Sequence, residues 1–272
     1  MKAIVNASVC PLMAQPTAAS TLVDEVLYGM VVELLEEPVP GWYRVRTHYQ
    51  YEGMVSGENL LIDDQAAVRW ASLPKKIVYQ KNTCDVLSAP KVQGHFLKSV
   101  PRGGLVSPVG EPENGWQKVL LADGQEGFMP AAILAPYYTA PLSQDEDTLR
   151  RALVDAALTY NGTHYRWGGK SPLGIDCSGL VSMAYMLCGI LIYRDADIRD
   201  GFPIHEIAIE NVKPGDLLFF PGHVAMYIGG GRYCHSTGKN GDNGFTVNSL
   251  IPSHPDYRED LRNRITQVGS YF

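Results

Sequence analysis

Residues 175–188 read Ile-Asp-Cys-Ser-Gly-Leu-Val-Ser-Met-Ala-Tyr-Met-Leu-Cys, and this stretch decides how the second half of the chain folds. Leu180, Val181, Ala184, Leu187 and Cys188 recur at the spacing of a buried helical face, and Gly189 ends it. Cys177 therefore stands at the start of a helix, after the loop Tyr165-Arg-Trp-Gly-Gly-Lys-Ser-Pro-Leu-Gly174. At that place unpaired backbone N–H groups and the positive end of the helix dipole favour thiolate over thiol. The same groups can receive the oxyanion of a tetrahedral intermediate. A lone cysteine is more often an inert core thiol, which is the reading that suits Cys188. The polar flanks and Gly-rich approach of Cys177 favour a nucleophile.

Upstream, Ser143 and Glu146 have the spacing of a capping box. Leu149, Ala152, Leu153, Ala156, Ala157 and Tyr160 then follow helical spacing until Asn161-Gly162. Downstream, Pro214-Gly215-Asp216 marks a turn, and two β-rich runs, from His223 to Ile228 and from Arg232 to Thr237, flank Gly229-Gly230-Gly231. With a three-glycine loop, Ile228 faces Arg232 and His223 faces Thr237. His235 then lies diagonally from His223 on the same face, near enough to orient it as base for Cys177. A two-residue loop would set the histidines on opposite faces. Cys234 alternates away from His235 and reads as core. Cys177, His223 and His235 lack the further carboxylate or thiolate of a usual zinc site, so no metal is expected. Histidines 48, 95, 164, 205 and 254 read as ordinary loop or surface residues.

The first half repeats itself at an offset of 74 residues. Gly41-Trp42 and Val45 return as Gly115-Trp116 and Val119, Glu52-Gly53 as Glu126-Gly127, and Leu60 as Leu134. Cys10, Pro16, Val26, Gly29, Val32 and Glu37-Pro38 return as Cys84, Pro90, Val100, Gly103, Val106 and Glu111-Pro112. Such self-similarity means two copies of one supersecondary unit. Their short apolar stretches, divided by Gly and Pro, favour small β-barrels. A short helical linker is expected from Asp63-Asp64 to Trp70. Asp24, Glu25 and Tyr51 have Lys98, Ser99 and Gln125 as counterparts, so only the first copy can offer an acidic and phenolic patch.

The 272 residues suit two or three domains. A net charge of −6 argues against nucleic acid and against a polybasic membrane anchor. No run reaches the ~18–20 apolar residues of a membrane span; the closest, the uncharged stretch 179–193, is too short. Lys2, Asn6, Cys10 and Pro11 do not compose an export signal. Five cysteines without a C-x-x-C pair read as free thiols in a reducing compartment. A cytoplasmic location is the expectation.

The series apolar–Gly–apolar, Gly-Trp-x-x-Val and Glu-Gly-x-Met/Val resembles bacterial SH3 domains, in both copies. Tyr-Arg-Trp-Gly-Gly (165–169), Asp-Cys-Ser-Gly-Leu (176–180), Arg194-Asp195-Ala196, Pro-Gly-Asp-Leu (214–217), His-Val-Ala-Met-Tyr-Ile-Gly (223–229) and His-Ser-Thr (235–237) resemble, in order, the NlpC-type cell-wall cysteine peptidases. The resemblance implies an α+β fold. A papain-like catalytic domain at 140–272, helices packed on an antiparallel sheet, follows two small SH3-like β-barrels at 1–66 and 67–139. It implies Cys177 as nucleophile, His223 as base and His235 as orienting residue. With two barrels ahead, the chain is similar to γ-D-glutamyl-L-diamino acid endopeptidases of murein peptide recycling. These need a free L-Ala amine on a tripeptide or tetrapeptide and no cofactor.

For that amine, Asp176 and Ser178 beside the nucleophile are candidates, with Tyr165 and Trp167 lining the pocket. The family's use of a tyrosine and an acidic residue from the first barrel points to Tyr51 with Glu25 or Asp24. Ala196 stands where some relatives have serine. A monomer is expected. The other readings are a secreted hydrolase of intact wall, an acyl transferase, and a wall-binding protein without catalysis.

Overall fold

The repeat of sequence is a repeat of structure. In the computed structural model, which describes residues 1–239 and 242–272, each copy is one seven-stranded antiparallel sheet. The first comprises β1 (Lys2–Val5), β2 (Val9–Met13), β3 (Leu22–Leu27), β4 (Val31–Val39), β5 (Trp42–Thr47), β6 (Glu52–Ser56) and β7 (Leu60–Leu61). The second comprises β8 (Lys76–Val78), β9 (Thr83–Leu87), β10 (Phe96–Pro101), β11 (Leu105–Pro108), β12 (Trp116–Leu120), β13 (Glu126–Pro130) and β14 (Leu134–Pro136). The strand orders coincide, β3-β2-β6-β5-β4-β1-β7 against β10-β9-β13-β12-β11-β8-β14. So do the registers: Val45 faces Gly53 as Val119 faces Gly127, and Cys10 faces Val26 as Cys84 faces Val100. The repeated glycine has a packing reason. A Cβ on Gly127 would lie 2.5 Å from Val86, and one on Gly53 would lie 3.1 Å from Leu12, the equivalent residue.

Both copies belong to one compact unit, Met1–Tyr137. Tyr28 of the first copy is fully buried in the core of the second, among Val78, Val100 and Leu121. Its hydroxyl accepts from the Ala122 amide at 2.9 Å, and its carbonyl accepts from Leu105 N at 2.8 Å. The linker helix α1 (Asp64–Ser72) is capped by Asp63 and donates Trp70 Nε1 to the Gly29 carbonyl at 2.7 Å.

The second unit is Tyr138–Phe272. Helix α2 (Glu146–Leu158) starts two residues later than the expected capping box, because the Asp145 side chain takes the cap by accepting from Thr148 N. A two-stranded ribbon, β15 (Lys170–Ser171) and β16 (Gly174–Ile175), leads into α3 (Cys177–Leu187). Helix α3 packs on α2 and across the antiparallel sheet that follows. That sheet contains β17 (His205–Ile207), β18 (Leu217–Phe220), β19 (His223–Gly229), β20 (Arg232–Thr237), β21 (Gly244–Ser249) and, after α4 (Glu259–Arg262), β22 (Gln267–Ser270). Leu218, Phe220, Ala225, Tyr233 and Val268 form one core cluster. The alternating Leu217, Phe219, Val224 and Met226 are buried as well, so the central strands are covered on both faces. At the turn before β18, Asp216 is fully buried and accepts from Arg150 (2.9 Å) and Ser270 (2.6 Å), tying α2 to the C-terminal strand.

All five cysteines are unpaired and buried. Among the described residues, no helix is long and apolar enough to cross a membrane.

Candidate active site

Helix α3 begins where the Asp176 carboxylate accepts from Gly179 N at 2.6 Å, which leaves Cys177 as the first helical residue. The helix start is crowded. A Cβ on Gly179 would stand 2.1 Å from the Gly169 carbonyl oxygen, so only glycine lets the 165–174 loop lie this close.

Cys177 is 7% exposed, and its sulfur receives hydrogen bonds from the amides of Val224 and Ser178. The Val224 contact sets the thiol against β19 one residue from His223. The helix-terminus argument predicts an easily ionised thiol, and the structure corrects it. Burial, reinforced by the Asp176 carboxylate, pushes Cys177 up to about 11 and outweighs the two amides and Arg194.

The hairpin carrying both histidines differs from expectation at its tip and agrees in its body. Met226 faces Cys234 and Tyr227 faces Tyr233, the same pairing that the three-glycine loop would give. The loop, however, has two residues, Gly230 and Gly231, with φ of 60° and 71°, as a tight mirror-image turn requires. Gly229, not Ile228, faces Arg232. The extra residue at Ile228 is a bulge, and it restores the parity that a two-residue loop alone would reverse. His223 Nε2 consequently lies 2.7 Å from His235 Nδ1.

A residue without any motif completes the set. Asn248 on β21 is buried, with Oδ1 2.9 Å from His235 Nε2 and Nδ2 donating to the Asp256 carbonyl at 3.1 Å. A carbonyl only accepts, so Asn248 must turn its NH2 towards Asp256 and its oxygen towards His235. His235 therefore carries its proton on Nε2 and accepts at Nδ1 from His223 Nε2–H. That leaves Nδ1 of His223 as the basic nitrogen. Burial holds both rings neutral: His223 is pushed down to about 3, with His235 adding to the effect, and His235 to about 4.

Of the residues expected to bind substrate, Asp176 and Ser178 are tied up in the scaffold. Asp176 Oδ1 accepts from Gly179 N, from Ser178 Oγ (3.2 Å) and from Arg194 Nη1 (3.2 Å). Its Oδ2 accepts from Gly168 N (2.8 Å) and Arg194 Nη2 (3.2 Å). Arg194, 1% exposed, also donates to Ser178 Oγ at 2.7 Å. Asp176 is thus a helix cap and the counter-ion of a buried arginine, a role that its place before the cysteine does not announce.

Tyr165 is half-buried, and burial, reinforced by Cys177 and Asp176, raises its phenol to about 12. Trp167 is 65% exposed. In the first unit, Asp24 and Glu25 are buried, and the Tyr49 hydroxyl donates to Asp24 Oδ2 at 2.5 Å. Tyr51 is half-buried, its amide on Thr47 Oγ1 at 3.0 Å.

The NlpC/P60 family profile matches residues 162–254, which span the cysteine and both histidines. The chain is 44% identical to dipeptidyl-peptidase 6 of Lysinibacillus sphaericus over 275 aligned positions, covering all of both chains. It is 37% identical to the γ-D-glutamyl-L-lysine dipeptidyl-peptidase of Bacillus cereus over 132 positions, 44% of this chain and 37% of that one. A crystal structure of an NlpC/P60 family protein from Bacillus cereus superposes with a TM-score of 0.79 at 21% identity, covering 100% of this chain and 99% of the other, which shows a shared fold. The similarity along the whole chain and the buried cysteine–histidine arrangement agree: the chain belongs to the NlpC/P60 family and is a cysteine peptidase.

Proposed function

We propose that the protein hydrolyses the bond between γ-D-Glu and the diamino acid of murein stem peptides whose N-terminal L-Ala amine is free. The observation that carries the chemistry is the chain from Asn248 through His235 to His223, beside a cysteine held by the Val224 amide. The bond cut and the free amine are suggested by the relatives, one named a dipeptidyl-peptidase and another a γ-D-glutamyl-L-lysine dipeptidyl-peptidase.

On this reading the resting pair is thiol and imidazole. As the Cys177 sulfur bonds to the γ-carbonyl carbon, its proton passes to His223 Nδ1. The backbone N–H of Cys177, at the first position of α3, is a donor for the oxyanion. The C–N bond then breaks, and His223 returns the proton to the leaving amine of the diamino acid. Water, deprotonated by His223, opens the thioester, releases L-Ala-γ-D-Glu and restores the thiol. The chemistry is complete without a cofactor. The substrate is a tripeptide or tetrapeptide freed from the wall, handled inside the cell by a monomer, and the two N-terminal sheets act as SH3-like modules.

The test is mass spectrometry of products from L-Ala-γ-D-Glu-diaminopimelate beside its N-acetylated twin. Cleavage of the free-amine peptide alone, after γ-D-Glu, is expected. Equal cleavage of both contradicts the free-amine requirement. Glu25→Gln, Asp24→Asn and Tyr51→Phe variants then show whether the first unit takes part in amine recognition.

A further inference from the structure

The two sheets of the first unit were built by one repeat, yet they part at one strand. In the first copy β4 runs nine residues and continues to pair with β5, Glu36 opposite Arg44 and Val39 opposite Trp42. Glu36 and Arg44 form an ion pair at 2.9 Å across that place. In the second copy β11 stops at Pro108, after four residues. Gly110, with φ of 65°, stands where the first copy has Glu36.

The diverted segment is held in place. Gln117, fully buried, occupies the position of Tyr43 and donates Nε2 to the Gly110 carbonyl at 3.1 Å and the Lys118 carbonyl at 2.9 Å. Its Oε1 accepts from Lys76 Nζ at 3.0 Å. A buried amide so satisfied fixes one geometry, which marks a built feature rather than a frayed strand.

The diversion opens a cavity of about 420 Å³, lined among others by Pro90, Val109, Glu111, Glu113, Trp116 and Phe128. That is the size of a small-ligand site. Phe128 replaces Met54 of the first copy. It faces Leu87, which in turn faces Phe96, so an apolar row leads from the cavity to a phenylalanine that is 62% exposed. The charged residues in the lining are Glu111, Glu113 and Lys118, and the Lys118 ammonium is already paired with Glu126 at 2.6 Å. The two glutamates give the cavity a negative rim over an aromatic floor.

From this we infer that the cavity of the second sheet binds a short peptide through a lysine-type side chain. The primary ammonium sits between Glu111 and Glu113, and the methylene stem lies on Trp116 and Phe128. Flanking peptide extends along the row to Phe96. The first copy, with Glu36 and Arg44 paired across the equivalent place, does not offer this site.

The experiment is titration of the full-length protein, following the indole N–H resonance of Trp116 (assigned with Trp116→Phe), with acetyl-Gly-Lys-Gly-amide and with its Nε-acetylated form. The expected result is a saturable shift with the lysyl peptide and affinity weaker by about tenfold or more for the acetylated one. The exposed double variant Glu111→Gln/Glu113→Gln should weaken the lysyl peptide similarly while leaving peptidase activity unchanged. No saturable shift, equal binding of the acetylated peptide, or undiminished binding by the double variant would each overturn the inference.

Discussion

Asn248 Oδ1 stands 2.9 Å from His235 Nε2, and through that contact an uncharged side chain sets the proton positions of two histidines. Asn248→Leu removes the acceptor and leaves His235 Nε2–H buried without a partner, which costs ~1–3 kcal/mol. If that cost falls on the transition state, kcat drops about 10- to 100-fold with little change in KM. Steady-state kinetics with the pH profile of kcat measures it. An unchanged profile would assign Asn248 a packing role alone.

Arg194 and Asp176 form a buried ion pair at the start of α3. Arg194→Met leaves the carboxylate with fewer partners where water does not reach, and removing one member of a buried pair costs ~3–5 kcal/mol. Arg194→Lys does not restore the bonds to both Asp176 oxygens together with Ser178. Urea unfolding of both variants should show a lower midpoint, and lost activity should track lost structure.

The pH range of stability is bounded on both sides by buried groups. Burial lowers His223 to about 3 and His235 to about 4, so the unfolded chain takes up protons from about pH 6.5 downwards while the folded chain does not. Stability is therefore lost as pH falls through that interval. At the other end, burial raises Cys10, Cys188 and Cys234 to about 12, and Cys84 and Cys177 to about 11. The unfolded thiols ionise first, and stability declines above pH 9. Melting temperature against pH should show a plateau between these limits. His235→Gln should flatten the acid limb.

Gly179→Ala places a methyl group against the Gly169 carbonyl, at a distance that only movement of the 165–174 loop can relieve. A loss of ~1–3 kcal/mol is expected from the overpacking. Activity should fall with it, because the same loop carries Tyr165 and Trp167. Thermal unfolding and kinetics on the purified variant check both.

How far the sequence could be read depended on whether a signal was local. The 74-residue repeat announced two copies of one β-rich unit, while their shared strand order and register came only with the fold. The shared face of His223 and His235 was legible from parity, although the tip reached that parity through a bulge at Ile228 rather than a longer loop. Asn248 could not be found, since it is an ordinary asparagine 13 residues beyond His235 on the neighbouring strand. Asp176 reads as a candidate for the substrate amine, and its structural part as counter-ion of Arg194 was not legible because the arginine lies 18 residues away and is buried only in the folded chain. The thiol's resistance to ionisation depended on how deeply Cys177 is buried, which the helix-terminus argument does not contain.

The central claim is that Cys177 attacks the γ-D-glutamyl carbonyl. Incubating the protein and its Cys177→Ala variant with L-Ala-γ-D-Glu-diaminopimelate, and identifying products by mass spectrometry, tests it directly. The account predicts L-Ala-γ-D-Glu and free diaminopimelate from the unaltered protein and intact peptide from the variant. Cleavage at another bond, or equal cleavage by the variant, would contradict it.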